Sequence, residues 1–131
     1  MPKLEMDYDS VPEKEVPIDQ GTHIMRVRDI PVLEAFVDRN GKKQQRLIVQ
    51  MEVHDPDSPM NGRKIRDSIL RSMETKLKRL AMSAGIPTDS EGYDPDDLYD
   101  QHVRVVVRHR TWNDDGEERI SADVRDYLPS E

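Results

Sequence analysis

One change of rhythm constrains this chain more than any other feature. Apolar residues recur at every second position in several stretches, and at every third or fourth position in one. Leu47, Val49, Met51 and Val53 alternate with Arg46, Ile48, Gln50 and Glu52, the pattern of a strand buried on one face. Met73, Leu77, Leu80, Ala81 and Ala84 instead share one side of a helix. A single amphipathic helix among two-faced strands calls for a mainly β domain whose helix covers one end of the sheet.

The remaining elements fall around these two. Residues from Thr22 to Phe36 are rich in β-formers, with Pro31 expected at a bulge or edge. Arg39-Asn40-Gly41-Lys42 predicts a type I′ hairpin turn. His54 to Gly62 reads as a loop, and Arg63 to Asp67 as a short strand with Ile65 inward and Lys64 and Arg66 outward. The helix is expected over Met73–Ala84, with Ser72 as N-cap, Gly85 just past its end and Pro87 blocking continuation. Thr88 to Gln101 is acidic, with room for one helical turn in Pro95–Tyr99. In His102–Trp112, Val103, Val105 and Val107 point one way; Arg104, Val106, Arg108, Arg110 and Trp112 point the other. Asn113 to Gly116 is a turn, and Arg119 to Tyr127 a last strand with Ile120, Ala122 and Val124 inward. Five strands with one helix between the third and fourth match the order of an OB-fold, a Greek-key barrel. The expected domain is 21–131, preceded by a disordered acidic arm, 1–20, that carries Pro2, Pro12 and Pro17.

Much chemistry is excluded. The chain has no Cys, so thiol nucleophiles, disulfides and thiolate metal sites are impossible. No phosphate-binding glycine loop and no Gly-x-Ser-x-Gly elbow occurs. His23, His54, His102 and His109 stand too far apart for ligand spacing and read as surface or strand-end residues. Asp94-Pro95-Asp96-Asp97 lacks the glycine and distal Glu of a calcium loop, and Asp55-Pro56-Asp57 is weaker still. The expectation is a protein that is not an enzyme and needs no cofactor or metal. Without an apolar run of about 20 residues or a secretion signal, a cytoplasmic location away from membranes is expected.

Charge is the feature that points to a partner. The formal net charge is −7, which argues against nucleic acid if taken whole. The acid is concentrated, however: residues 89–101 hold six acidic and no basic side chains, while residues 102–112 hold three basic and no acidic ones. On the outward strand faces stand Lys43, Arg46, Lys64, Arg66, Arg104, Arg108 and Arg110. Trp112, the single Trp, is in phase with the last three, and Phe36, the single Phe, lies near the first hairpin. Single-stranded nucleic acid requires a cationic track for phosphates and aromatic groups for base stacking, and these nine residues are the candidate set. A mobile acidic arm is able to compete for such a track.

Several short segments carry a family resemblance. Gly21-Thr22-His23-Ile24-Met25-Arg26-Val27, Asn61-Gly62-Arg63-Lys64-Ile65, Leu77-Lys78-Arg79-Leu80 with Ala84-Gly85-Ile86, Val103-Arg104-Val105-Val106-Val107 and Asp126-Tyr127-Leu128-Pro129 resemble small phage-encoded OB-fold proteins associated with single-stranded DNA. The resemblance spans residues 21–129. It implies largely sequence-independent binding of single-stranded DNA in phage replication or recombination, in the host cytoplasm, with proteins of those processes as further partners. It leaves monomer and dimer both open. Two other readings stand beside it: an OB-like adaptor that contacts a protein through its acidic loops, and an acidic mimic of DNA.

Overall fold

The structure, a computed structural model, describes residues 17–88 and 92–129. Six strands and one α-helix follow in the order β1 (Gly21–Val27), β2 (Val32–Val37), β3 (Lys43–Val53), β4 (Lys64–Leu70), α1 (Glu74–Ser83), β5 (His102–Asp114) and β6 (Glu117–Leu128). A 3₁₀ turn at Pro95–Leu98 precedes β5, where one helical turn was expected. All pairings are antiparallel and belong to one sheet, ordered β2-β3-β1-β5-β6, with β4 paired to β3.

The six strands correct the expected five, and Pro31 supplies the reason. Its locked φ and missing N–H interrupt the ladder, so the segment expected as one strand becomes β1 and β2. The two halves still share one partner. β2 pairs with β3 from Val37↔Lys43 to Val32↔Ile48, and β1 pairs with its far end from Val27↔Met51 to Met25↔Val53. β4 takes the opposite edge of β3, from Arg46↔Leu70 to Glu52↔Lys64.

The expected closed barrel is also corrected, because β4 and β6 form no ladder and the sheet stays open between them. Side chains bridge that seam. The Tyr127 hydroxyl donates to Asp67 Oδ2 at 2.7 Å. From α1, Lys76 Nζ donates to Asp67 Oδ1 at 3.2 Å and to the Val124 carbonyl at 2.9 Å. Asp67 is 6% exposed and Tyr127 1%, so the carboxylate depends on these partners in place of water. Burial beside that carboxylate holds the Tyr127 phenol well above its ordinary pKa.

The core forms where the inward faces converge. Met25 and Val27, Leu47, Val49, Met51 and Val53, Ile65 and Ile69, and Val103, Val105 and Val107 meet Leu80 of α1 and Leu98 of the 3₁₀ turn. Helix α1 ends in a Schellman arrangement: Ile86 N donates to Ala81 O at 2.9 Å and Gly85 N to Met82 O at 3.1 Å. Gly85 takes φ +75°, which favours glycine. At the other end the position before the helix is Met73, without a side-chain cap, so Ser72 is not the N-cap that was expected.

Further expectations shift. Asn40 does not take positive φ, so Asn40-Gly41 is not a type I′ turn. Residues 39–41 instead form a three-residue loop closed by Asp38, whose Oδ1 accepts from Asn40 N and Lys42 N, each at 2.9 Å. The two-residue turn with positive φ at both positions is Asp115-Gly116 between β5 and β6. Ile120 is not inward in a core but 48% exposed, because β5 and β6 run past the sheet as a two-stranded ribbon. Of the expected arm, residues 1–16 lie outside the described residues. Ile18 is buried in the core, and its carbonyl accepts from His109 Nε2 at 2.8 Å.

Candidate nucleic-acid interface

The outward face of β5 is the longest cationic row in the sheet. Strict alternation puts Arg104, Val106, Arg108, Arg110 and Trp112 on that face while Val103, Val105 and Val107 fill the core. A β-bulge opposite Val106 and Val107 lets β6 follow β5 outward past the body, and bulges of this kind twist a ribbon away from its sheet. Beyond it the pairs Arg108↔Asp123, Arg110↔Ser121 and Trp112↔Arg119 stand side by side.

At the ribbon tip Trp112 is 43% exposed, and the Arg110 guanidinium lies 5.1 Å from its ring centroid. That contact is in cation–π range and leaves a flat cationic surface. Arg110 Nε is 3.1 Å from Asp123 Oδ2. Arg119, opposite Trp112, is tied to Asp114 at 3.6 Å and Glu117 at 3.3 Å. These exposed pairs are weak, about 0–1 kcal/mol, so phosphate oxygens compete with the carboxylates at little cost. Arg108 is exposed and makes no ion pair among the described residues. Arg104, half-buried, donates from Nη1 to the Pro129 carbonyl at 3.4 Å.

A second group lies across the sheet. Arg46 on β3 stacks over Phe36 at 4.7 Å and forms a two-donor contact with Glu34, at 2.5 and 3.1 Å. Phe36 thus belongs to the outer face of β2, outside the core cluster. Lys64 and Arg66 are exposed on the outward face of β4, opposite Glu52 and Gln50. Lys43 is an odd position on β3 and shares the parity of Leu47 and Val49. It therefore projects from the face opposite Arg46.

The two groups are joined by one register row. Lys64 is opposite Glu52, Glu52 opposite Arg26, and Arg26 opposite His102, all on the outer face. In the middle Arg26 contacts Glu52 at 2.5 Å and Asp100 at 2.8 Å. The hydrogen bond from Arg26 holds the Glu52 carboxyl below its ordinary pKa. The hydrogen bonds that Arg26 donates to Asp100 and then to Glu52 raise its own pKa. The centre, one guanidinium between two carboxylates, thus carries a formal charge of −1, and the row is cationic at the β4 end.

The nine candidates divide accordingly. Arg104, Arg108, Arg110 and Trp112 share one strand face. Arg46 with Phe36, and Lys64 with Arg66, lie on the same outer face two to three strands away. Lys43 is separated from them. Arg26 and Arg119 join the surface, and sequence reading passed over both. Alternation within each strand carried a signal for them, but only the register brings them to their neighbours. Among the described residues no group of three or more His, Asp or Glu side chains is placed to hold a metal ion, and no helix is long and apolar enough to cross a membrane. Compared with protein-family models and with curated proteins, the chain matches none.

Proposed function

We propose that this domain binds single-stranded DNA along its outer face, largely without regard to sequence, in phage DNA replication or recombination in the host cytoplasm. The observation that carries the reading is Trp112. A half-exposed indole stacked by Arg110, in line with Arg108 and Arg104 on a projecting ribbon, offers base stacking and phosphate contacts together. We read the architecture as an open variant of the OB order, with β1 and β2 as two halves of one bent first strand. The face of β3 and β4 and the β5–β6 ribbon then correspond to the surface that OB-folds use for oligonucleotides. With a net charge of −7, the long-range field repels a polyanion, so affinity rests on local contacts.

The test is Trp112 fluorescence during titration with a single-stranded oligonucleotide at low and moderate salt. Saturable quenching that shifts with salt is expected. Arg108→Ala with Arg110→Ala should weaken binding to all sequences alike and flatten the log–log salt slope by about 1.4, at roughly 0.7 per phosphate contact on single strands. An unchanged slope removes both arginines from the site, and no quenching together with no mobility shift removes the function.

One observation favours a second reading as a protein-binding module. Val32, Leu33 and Val37 on β2 are more than half exposed, and β2 pairs only with β3 among the described residues. Apolar edge strands of this kind accept a strand from another chain. A sample that leaves Trp112 unquenched but forms a defined complex with another protein through β2 would favour that reading.

A further inference from the structure

The outer face carries a pair of stacked rings at the opposite end of β5 from Trp112. His54 and His102 lie with ring centroids 4.6 Å apart and planes inclined by 28°. Both side chains are exposed. His102 has the parity of Arg104, Arg108 and Trp112, so it faces outward with them. His54 follows β3 and is anchored by its N–H to the Ile24 carbonyl at 2.8 Å. Strand β1 separates β3 from β5, so the two rings meet across it. Two strand spacings, about 9.6 Å, are bridged by side chains leaning toward each other. The pair sits where the Lys64–Glu52–Arg26–His102 row runs into β5.

We propose that the His54–His102 pair is a second base-stacking platform, binding a base of the same single strand that stacks on Trp112. This inference rests on the single-stranded DNA reading above. Imidazole is a stacking partner for unpaired bases, and each ring of the pair keeps an outer face. The pair buttresses itself, so a base arriving on one ring meets a plane already fixed by the other. From His102 to Trp112 the strand spans about 34 Å at about 3.4 Å per residue. Arg104, Arg108 and Arg110 lie between the two platforms. A strand long enough to touch both ends therefore gains a contact that a short strand lacks.

The experiment is a length series of oligothymidylates, from about 4 to 16 nucleotides, the range of OB-fold site sizes. It is read by Trp112 quenching with the wild-type chain, the double variant His54→Ala/His102→Ala and the planar variant His54→Phe/His102→Phe. Circular dichroism verifies that all three are folded. Wild-type affinity should rise until both platforms are occupied. The Ala variant should keep its quenching by short strands and lose about tenfold in affinity for long ones. The Phe variant should restore most of that loss. An Ala variant equal to wild type at every length overturns the proposal. So does a Phe variant as weak as the Ala variant, which would assign the histidines a polar contact and not a stacking one. Wild-type protein whose Trp112 is quenched by no length fails at the earlier step, the DNA reading itself, and the proposal falls with it.

Discussion

Replacing Tyr127 with Phe removes a single oxygen from the seam where β4 and β6 fail to pair. The ring stays, so no cavity opens, and the change isolates the 2.7 Å bond to Asp67. A hydrogen bond to a charged partner contributes about 1.5–3 kcal/mol. Asp67 keeps Lys76 at 3.1 Å, so its carboxylate is not stranded and the loss should be near 2 kcal/mol. Asp67→Ala is harsher, about 3–5 kcal/mol, because it leaves the Lys76 ammonium with only the Val124 carbonyl. The pair tests whether the seam is one unit. In a double-mutant cycle, Tyr127→Phe on top of Asp67→Ala should cost far less than Tyr127→Phe alone, leaving a coupling of about 2 kcal/mol. Urea denaturation without nucleic acid measures it, with an unchanged m-value confirming that the folded and unfolded surfaces are comparable. The midpoint of thermal unfolding should drop by roughly 10 °C for the Tyr127 change. A loss under about 0.5 kcal/mol, or additive losses in the cycle, would mean that the Tyr127–Asp67 bond does not hold the seam and that the two side chains do not act as one unit.

Three further outcomes follow from the geometry. Tyr127 is held well above its ordinary pKa by burial and Asp67, and burial pushes Tyr93 up to about 12. Their folded values exceed the unfolded ones, so their contribution is intact below pH 10 and lost as pH rises through the folded values. An alkaline absorbance titration of the native chain should show these two phenols ionising late, and ionisation of both at their ordinary value would refute it. On the acid side, Asp38 is held below its ordinary 3.8 by the Gln44 side chain and then the Lys42 backbone N–H. Its stabilisation of the β2–β3 loop persists above that value and fades as pH falls through the lower folded one. A carboxyl-carbon titration with a midpoint above 3.8 would contradict this. Gly116 takes φ +82° with nothing within 4 Å of a built Cβ, so Gly116→Ala meets only backbone strain, about 1–2 kcal/mol. Amide exchange should accelerate in the ribbon and not in β1 or β3, whereas uniform acceleration would show the ribbon to be part of the global unit.

Local periodicity made most elements legible. The inward valines of β5, the Leu47–Val53 face of β3 and the helix ending at Gly85 all follow from side-chain spacing within one element. The misreadings have a common physical origin in what lies between elements. Pro31 announced a disturbance, but a bulge and a break look alike until β3 is seen to serve both halves. Asn40-Gly41 has the composition of a type I′ turn, yet Asp38 offers its carboxylate to two backbone donors and makes another loop cheaper. Ile120 continues the alternation of β6 without a core opposite it, because the ribbon has outrun the helix. Barrel closure needed β4 to meet β6, and no pattern in either strand reports that a Lys from α1 and a buried Tyr–Asp pair occupy the seam instead.

The candidate surface divides along the same line, and the division bears on how such a surface works. Arg104, Arg108, Arg110 and Trp112 were legible as one row because a strand carries its own parity. Lys43 was placed with Arg46 by proximity in sequence, although an odd separation within a strand sends two side chains to opposite faces. For Arg26, Arg119 and His102 strand parity gave the face but not the neighbours, which each gains, as His54 does, through register with another strand. Within-strand residues make a line of charge along β5; cross-strand residues decide where that line is interrupted by acid and where rings are stacked. A binding surface that used only the line would treat every phosphate alike. The Glu52–Arg26–Asp100 group separates the cationic β4 end of the outer face from the cationic β5 arm, with the stacked histidines where that arm begins. On the proposed DNA-binding reading, a single strand following both parts turns at the rings, and oligonucleotide length, more than base sequence, should govern its affinity.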